Sequence, residues 1–274
     1  MSTPLADLAR HLGPSLAAAE SLLAEVRADR TRLPVVFPGL PRRLGRDVAG
    51  SGRTTLGAGT IDLPAFRRCD LGAAWLLLAT AASADECFDL YAHGDIEERA
   101  MLLRALHVLP TGPLTTRLFG EVQRTNIVLH LEAALCDGDL FARMVDRHGF
   151  DRTAANKLLL KLAFLDLPLH RAFGAEQHAN TEFSRMLQDL ATEREAAGRS
   201  VWRDTWRLIG MAPCPGTAAR LVGGLEHGDD GVRLAAAEGL LALRRADLRP
   251  FAAERLPREP REGVRAVLQR LVSG

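Results

Sequence analysis

Acids, a phenol, an imidazole and a guanidinium crowd one short stretch, Asp85-Glu86-Cys87-Phe88-Asp89-Leu90-Tyr91-Ala92-His93-Gly94-Asp95-Ile96-Glu97-Glu98-Arg99. On a helix–turn–helix joint, Asp85, Glu86, Tyr91 and His93 can line a polar pocket for a ligand or partner. A carboxylate whose pKa is shifted by such surroundings can also act as an acid or base, which makes Asp85 or Glu86 the catalyst in an enzymatic reading. The architectural reading is that Ser83 and Asp95 cap helices and Asp95 pairs with Arg99 four residues on. A second polar set is Glu121-x-x-Arg124-Thr125-Asn126 with His130 and Glu132. Asn126 and His130 lie four apart and share a helix face. Arg124 and Glu132 are expected to meet Asp85 and Glu86 across a hairpin as a buried charged network, unless the set is a solvated face.

Local signatures of catalysis are missing. The chain has no H-E-x-x-H, no Glu-x-x-His pair, no G-x-S-x-G, and a Gly50-Ser51-Gly52-Arg53-Thr54-Thr55 run without the lysine of a phosphate loop. No catalytic set, metal site or cofactor is therefore expected, and the candidate residues are read as recognising and orienting a ligand. Cys69, Cys87, Cys136 and Cys214 are scattered without C-x-x-C spacing, as reduced, mostly buried thiols of a cytoplasmic protein.

Helices must position these groups. The apolar mass is Leu, Ala and Val, aromatics make up only 5%, and no stretch reads as a strand. Leu8, Leu12, Leu16, Leu23 and Val26 mark an N-terminal helix. Residues 31–60 carry Pro34, Pro38, Pro41 and six glycines, which predicts a long loop without regular structure. Its Arg32, Arg42, Arg43, Arg46 and Arg53 suit peripheral contact with acidic lipid or an acidic partner, or plain solvation. Helices then follow to the end, with capping boxes at Ser83–Glu86 and Asp95–Glu98. One helix is expected over 114–135 and another over 202–210.

An internal echo suggests repeats. His93-Gly94-Asp95-x-x-x-Arg99 returns as His227-Gly228-Asp229-x-x-x-Arg233, and Asp230-Gly231-Val232-Arg233 returns as Glu262-Gly263-Val264-Arg265 after 32 residues. The expected fold is all-α, stacked helical hairpins in a HEAT-like α-solenoid. Its segments are a helix over 1–30, the loop over 31–60, a helical region over 61–211 and C-terminal hairpins over 212–274, packed as one domain. A net charge of +1 gives no case for nucleic acid, and the Leu71–Ala82 run is too short to span a membrane. The N-terminus shows no secretory signal.

The block Asp85-Glu86-Cys87-Phe88-x-Leu90-Tyr91-x-x-Gly94-Asp95-x-x-Glu98-Arg99-x-x-Leu102-Leu103-Arg104-Ala105-Leu106 resembles the EboA family. So do Arg124-Thr125-Asn126 with Glu132-Ala133, the run from Arg185-Met186-Leu187 to Arg199, and Trp206-Arg207-Leu208-Ile209. The resemblance covers roughly residues 84–211. It implies a metabolite traffic protein, from clusters that also encode a prenyltransferase and small-molecule enzymes, serving to move a secondary-metabolite precursor out of the cytoplasm. Where relatives carry an Asn-Pro turn after Glu-Ala, Cys136-Asp137-Gly138-Asp139 stands here. Together these readings predict a non-catalytic adaptor that binds a small metabolite or a pathway protein through Asp85, Glu86, Tyr91, His93, Arg124, Asn126 and Glu132. The alternatives are a pathway enzyme and a purely structural scaffold.

Overall fold

The computed structural model describes residues 3–201 and 204–274. These form two compact units, residues 3–155 with 171–173, and residues 156–170 with 174–201 and 204–274. That division does not follow the segment boundaries expected at 30, 60 and 211. Helices dominate both units, and the only sheet among the described residues is one hairpin.

In the first unit, α1 (Pro4–Leu12), α2 (Leu16–Ala28) and α3 (Leu33–Leu44) cover α4 (Arg68–Ala79). The break between α1 and α2 falls at Gly13-Pro14, where Gly13 takes φ 51°. Helix α3 overturns the expected loop. It holds Pro38 and Pro41 inside it, yet Leu33, Val36, Phe37, Leu40 and Leu44 form a buried stripe at helical spacing. Burying those five side chains outweighs the backbone hydrogen bonds that the prolines remove. Gly57 and Gly59 belong to a hairpin that was not expected either, β1 (Arg53–Leu56) with β2 (Gly59–Asp62), in which Thr54 faces Ile61 and Leu56 faces Gly59. Gly57 turns it at φ 57°, and a Cβ there would lie 2.4 Å from the Val108 carbonyl oxygen.

Helix α4 is buried all round from Cys69 to Leu77, and so is α6 (Ile96–Val108) from Ala100 onward. They pack together as the centre of the unit. Around them lie α5 (Ala84–His93), α7 (Pro113–Arg124), α8 (Val128–Leu131), a π turn over Glu132–Cys136 and α9 (Leu140–Met144). The single helix expected over 114–135 is thus broken. At Thr125 the chain becomes extended, and the Thr125 hydroxyl accepts the Ile127 N–H.

The division between units falls within α10 (Arg152–Phe164). The second unit continues with α11 (Thr181–Ala196), α12 (Asp204–Met211), α13 (Thr217–Gly224), α14 (Asp230–Leu243), α15 (Arg249–Arg255) and α16 (Glu262–Ser273). The helix expected over 202–210 starts on two residues outside the described ones. Helices α12 and α14 cross at Gly210 and Gly239. A Cβ on Gly210 would stand 2.2 Å from the Gly239 carbonyl oxygen, so two backbones touch where side chains normally separate them.

The echo marks helix starts. Asp95 accepts the Glu98 N–H at 2.9 Å and Asp229 accepts the Val232 N–H at 2.9 Å, each as an N-cap. The expected Asp95–Arg99 ion pair does not form. Arg99 donates back to the Ala92 carbonyl and Arg233 to the His227 and Gly228 carbonyls, so each arginine staples its helix to the turn before it. No helix among the described residues is long and apolar enough to cross a membrane.

Candidate functional site

The seven residues singled out from sequence do not converge. Asp85 is exposed in the first turn of α5. Glu86 completes the capping box with Ser83, and both its oxygens accept from Arg30, at 2.5 and 2.7 Å. Arg30 also donates to the Thr80 carbonyl at 2.8 Å, which fastens the α2–α3 turn to the start of α5. The Arg30 guanidinium and the Ser83 N–H hold the Glu86 carboxyl down at about 2. A carboxylate tied so to Arg30 has no proton to give at neutral pH and is a poor base. His93 is exposed, with Nδ1 at 2.9 Å from the Asp89 carbonyl of its own helix.

Tyr91 is buried, with the Arg99 guanidinium 5.4 Å from its ring centroid and the His130 ring 6.3 Å away. Burial raises the phenol's pKa, Arg99 opposes this, and Glu121 adds to it. Arg124 is exposed and pairs with that same Glu121 at 2.5 Å. Asn126 is exposed in the break between α7 and α8 and does not share a helix face with His130. His130 is buried, with Nε2 3.0 Å from the Ile96 carbonyl, and burial lowers its pKa. Glu132 opens the π turn and pairs with Arg171 at 2.5 Å. The expected meeting of Arg124 and Glu132 with Asp85 and Glu86 is therefore replaced by three separate ion pairs.

A buried charged network does exist, with other members. Asp70 on α4 accepts from Arg67 at 3.1 Å and lies 3.5 Å from Arg104 on α6, which donates to Asp137 at 2.8 Å. Arg67 reaches outward to Glu97 at 2.5 Å. Asp70, Arg104 and Asp137 are all buried. Burial pushes the Asp137 carboxyl up to about 6 against the pull of Arg104 and Arg171. Beside it, the enclosed His107 donates from Nε2 to the Ala133 carbonyl at 2.8 Å and accepts the Leu140 N–H at Nδ1, 3.2 Å. Desolvation lowers its pKa to about 3, so it stays neutral. These bonds hold the π turn against α6. Every named charge here has its partner within the network, and the arrangement is a strut.

The second unit holds open space. A cavity of about 610 Å³ is bounded by Gln188 and Thr192 on α11, Trp206 on α12, Cys214 in the following turn, and Arg220 and Gly223 on α13. Arg220 sits 5.5 Å from the Trp206 ring centroid and donates to Glu195 at 2.9 Å and to the Thr192 hydroxyl at 2.5 Å. The buried Trp206 indole N–H has no hydrogen-bond partner among the described residues. Volume and mixed lining suit a small organic molecule.

A family model described as "Metabolite traffic protein EboA" matches residues 72–210. The chain belongs to the EboA family. No curated protein and no solved structure matches it. The EboA span contains the α11 and Trp206 side of the cavity, whereas Cys214, Arg220 and Gly223 lie beyond it. Reading the sequence missed both features. A single Arg104 in Leu102-Leu103-Arg104-Ala105-Leu106 was a signal for a buried charge, since an arginine in an apolar helix demands a partner. The cavity left a weaker trace, the cluster Gly216, Gly223 and Gly224, small residues where bulk is missing.

Proposed function

We propose that this EboA-family protein is a non-catalytic, cytoplasmic binding protein of secondary-metabolite traffic, which holds a small metabolite in the cavity beside Trp206. The observation that carries the reading is the cavity itself, sized for a small organic molecule, with one side inside the family-matched span. The second unit is read as HEAT-like. In support, the 32-residue echo falls on the starts of α14 and α16, two helices packed on each other, and concave faces of stacked helices commonly hold ligands.

The scaffold reading has its own support, since Glu86, Arg124 and Glu132 are all engaged by neighbouring side chains. It applies best to the first unit, and docking of a pathway protein there is compatible with ligand capture in the second. The test is to measure metabolites inside and outside cells in which the gene is deleted, then complemented with the native chain or with Gly223→Leu. A Cβ at Gly223 meets nothing within 4 Å and Gly223 lines the cavity, so the substitution is chosen to add bulk there. The expected outcome is a metabolite trapped inside the deletion strain, released by the native chain and still trapped with Gly223→Leu. Loss of the metabolite with build-up of its precursor, in the deletion strain, would make the protein an enzyme and sink the reading.

A further inference from the structure

A second recess of about 610 Å³ in the same unit has a different character. Five arginines line it, Arg207, Arg244, Arg245, Arg249 and Arg270, against one acidic side chain, Glu238. Two of the five are engaged elsewhere, Arg207 with Glu176 at 2.9 Å and Arg245 with Asp247. Arg244, Arg249 and Arg270 have no carboxylate within ion-pair distance among the described residues. They come from the end of α14, the start of α15 and the last turn of α16, so the packing of three helices brings them to one place. Guanidinium groups assembled around a recess without their own counter-ions are suited to a phosphate, which takes bidentate hydrogen bonds.

Arg244 adds a conformational argument. It closes α14 at φ 53° and ψ 37°, the left-handed position that glycine normally fills. A side chain kept there against its backbone preference carries a guanidinium to the rim of the recess. Apolar lining comes from Leu241, Ala242, Leu271 and Met211, whose side chain is exposed. Cationic and apolar surface thus share one concave site.

We infer that this recess binds an amphiphilic organic phosphate, with its phosphate or diphosphate on Arg244, Arg249 and Arg270 and its apolar portion along Met211 and Leu241. The inference is independent of the Trp206 cavity. A free molecule, and not a bilayer, is the fitting occupant, because the cations line a recess of finite volume. Helix dipoles offer a rival explanation, since Arg244 and Arg270 sit at helix C-terminal ends where cations are favoured. That role predicts lost stability on their removal and no ligand.

The test is calorimetric titration of the full chain with monomeric decyl phosphate, with inorganic phosphate and decanol as partial probes. The variant combines Arg244→Gly, Arg249→Gln and Arg270→Gln. Glycine suits the left-handed position and the other two arginines are unpaired, so folding should hold. Decyl phosphate is expected to bind more tightly than either partial probe. Binding should weaken roughly tenfold or more in the triple variant, the loss of one or more charge-assisted hydrogen bonds. Raised KCl should weaken it further. Arg42→Gln with Arg43→Gln in the first unit, and Gly223→Leu, should leave it unchanged. Equal binding by the triple variant overturns the inference, as does loss with Gly223→Leu. So does flotation with phosphatidylglycerol vesicles by a chain that ignores decyl phosphate.

Discussion

Arg104 and Arg244 stand in opposite circumstances. The first is buried in the first unit between Asp70 and Asp137, and its guanidinium is committed to them. The second is exposed at a helix end in the second unit, beside a recess, with no ion pair among the described residues. A committed buried cation cannot greet a ligand without leaving carboxylates stranded, whereas an unpaired cation at a recess strands none when it engages one. The second unit has struts too, since the buried Glu259 is shared by Arg233 at 2.8 Å and Arg255 at 2.9 Å. The contrast is therefore between struts and recesses, and the second unit shows both side by side. Crowded charges in a sequence mark either one, and only the partners tell them apart.

The largest effect should come from cutting a strut. Arg104→Ala leaves Asp70 and Asp137 buried with a partner lost, and urea unfolding should show a loss of about 3–5 kcal/mol. A loss below about 1 kcal/mol would mean that the network is solvated and the contrast false. Next come two glycines of the second unit. Gly239→Ala forces a methyl to within 2.5 Å of the Trp206 carbonyl oxygen and should cost about 1–3 kcal/mol. Gly223→Leu, in open space on a helix, should change stability by less than about 1 kcal/mol and in the favourable direction. Equal losses at both would deny the cavity its emptiness.

His107 sharpens the comparison through pH. Its folded pKa of about 3 lies below the unfolded value near 6.5. Its contribution is therefore complete above about 6.5 and is lost progressively as the pH falls from there towards about 3. Asp137, raised to about 6, acts in the opposite sense between about 4 and 6, since the folded state there binds the extra proton. Comparing the native chain with His107→Asn cancels Asp137. The stability gap should narrow by about 1.4 kcal/mol per unit between pH 6 and 5. A constant gap would mean that His107 titrates normally. The smallest effect belongs to Glu86→Gln, on a half-exposed pair, with less than about 1 kcal/mol lost and traffic retained. Failed traffic from a folded Glu86→Gln protein would return the site to the α5 joint.

Local chemistry was readable from sequence to the extent that it is local. Ser83–Glu86 and Asp95–Glu98 act as the capping boxes their spacing implies, because cap and partner lie three residues apart. The all-apolar Leu71–Leu77 run is the buried α4. Helix α3 was hidden because proline and glycine dominate a local reading, while its stripe from Leu33 to Leu44 matters only once α4 is present to cover it. Partners across the fold were out of reach. Arg104 meets Asp137 from 33 residues away, Glu86 meets Arg30 from 56, and Glu132 meets Arg171 from 39. Nothing in the spacing of those residues selects these pairs over Arg124 with Glu86. The Trp206 cavity is likewise a product of how α11, α12 and α13 are laid together.

The most direct test of the central claim is to incubate the purified full chain with the interior extract of the deletion strain. Protein-bound small molecules are then recovered by gel filtration and identified by mass spectrometry. Ligand capture by the native chain and by Glu86→Gln, but not by Gly223→Leu, is the predicted result. Capture that survives Gly223→Leu and disappears with Glu86→Gln would contradict it and place the site in the first unit.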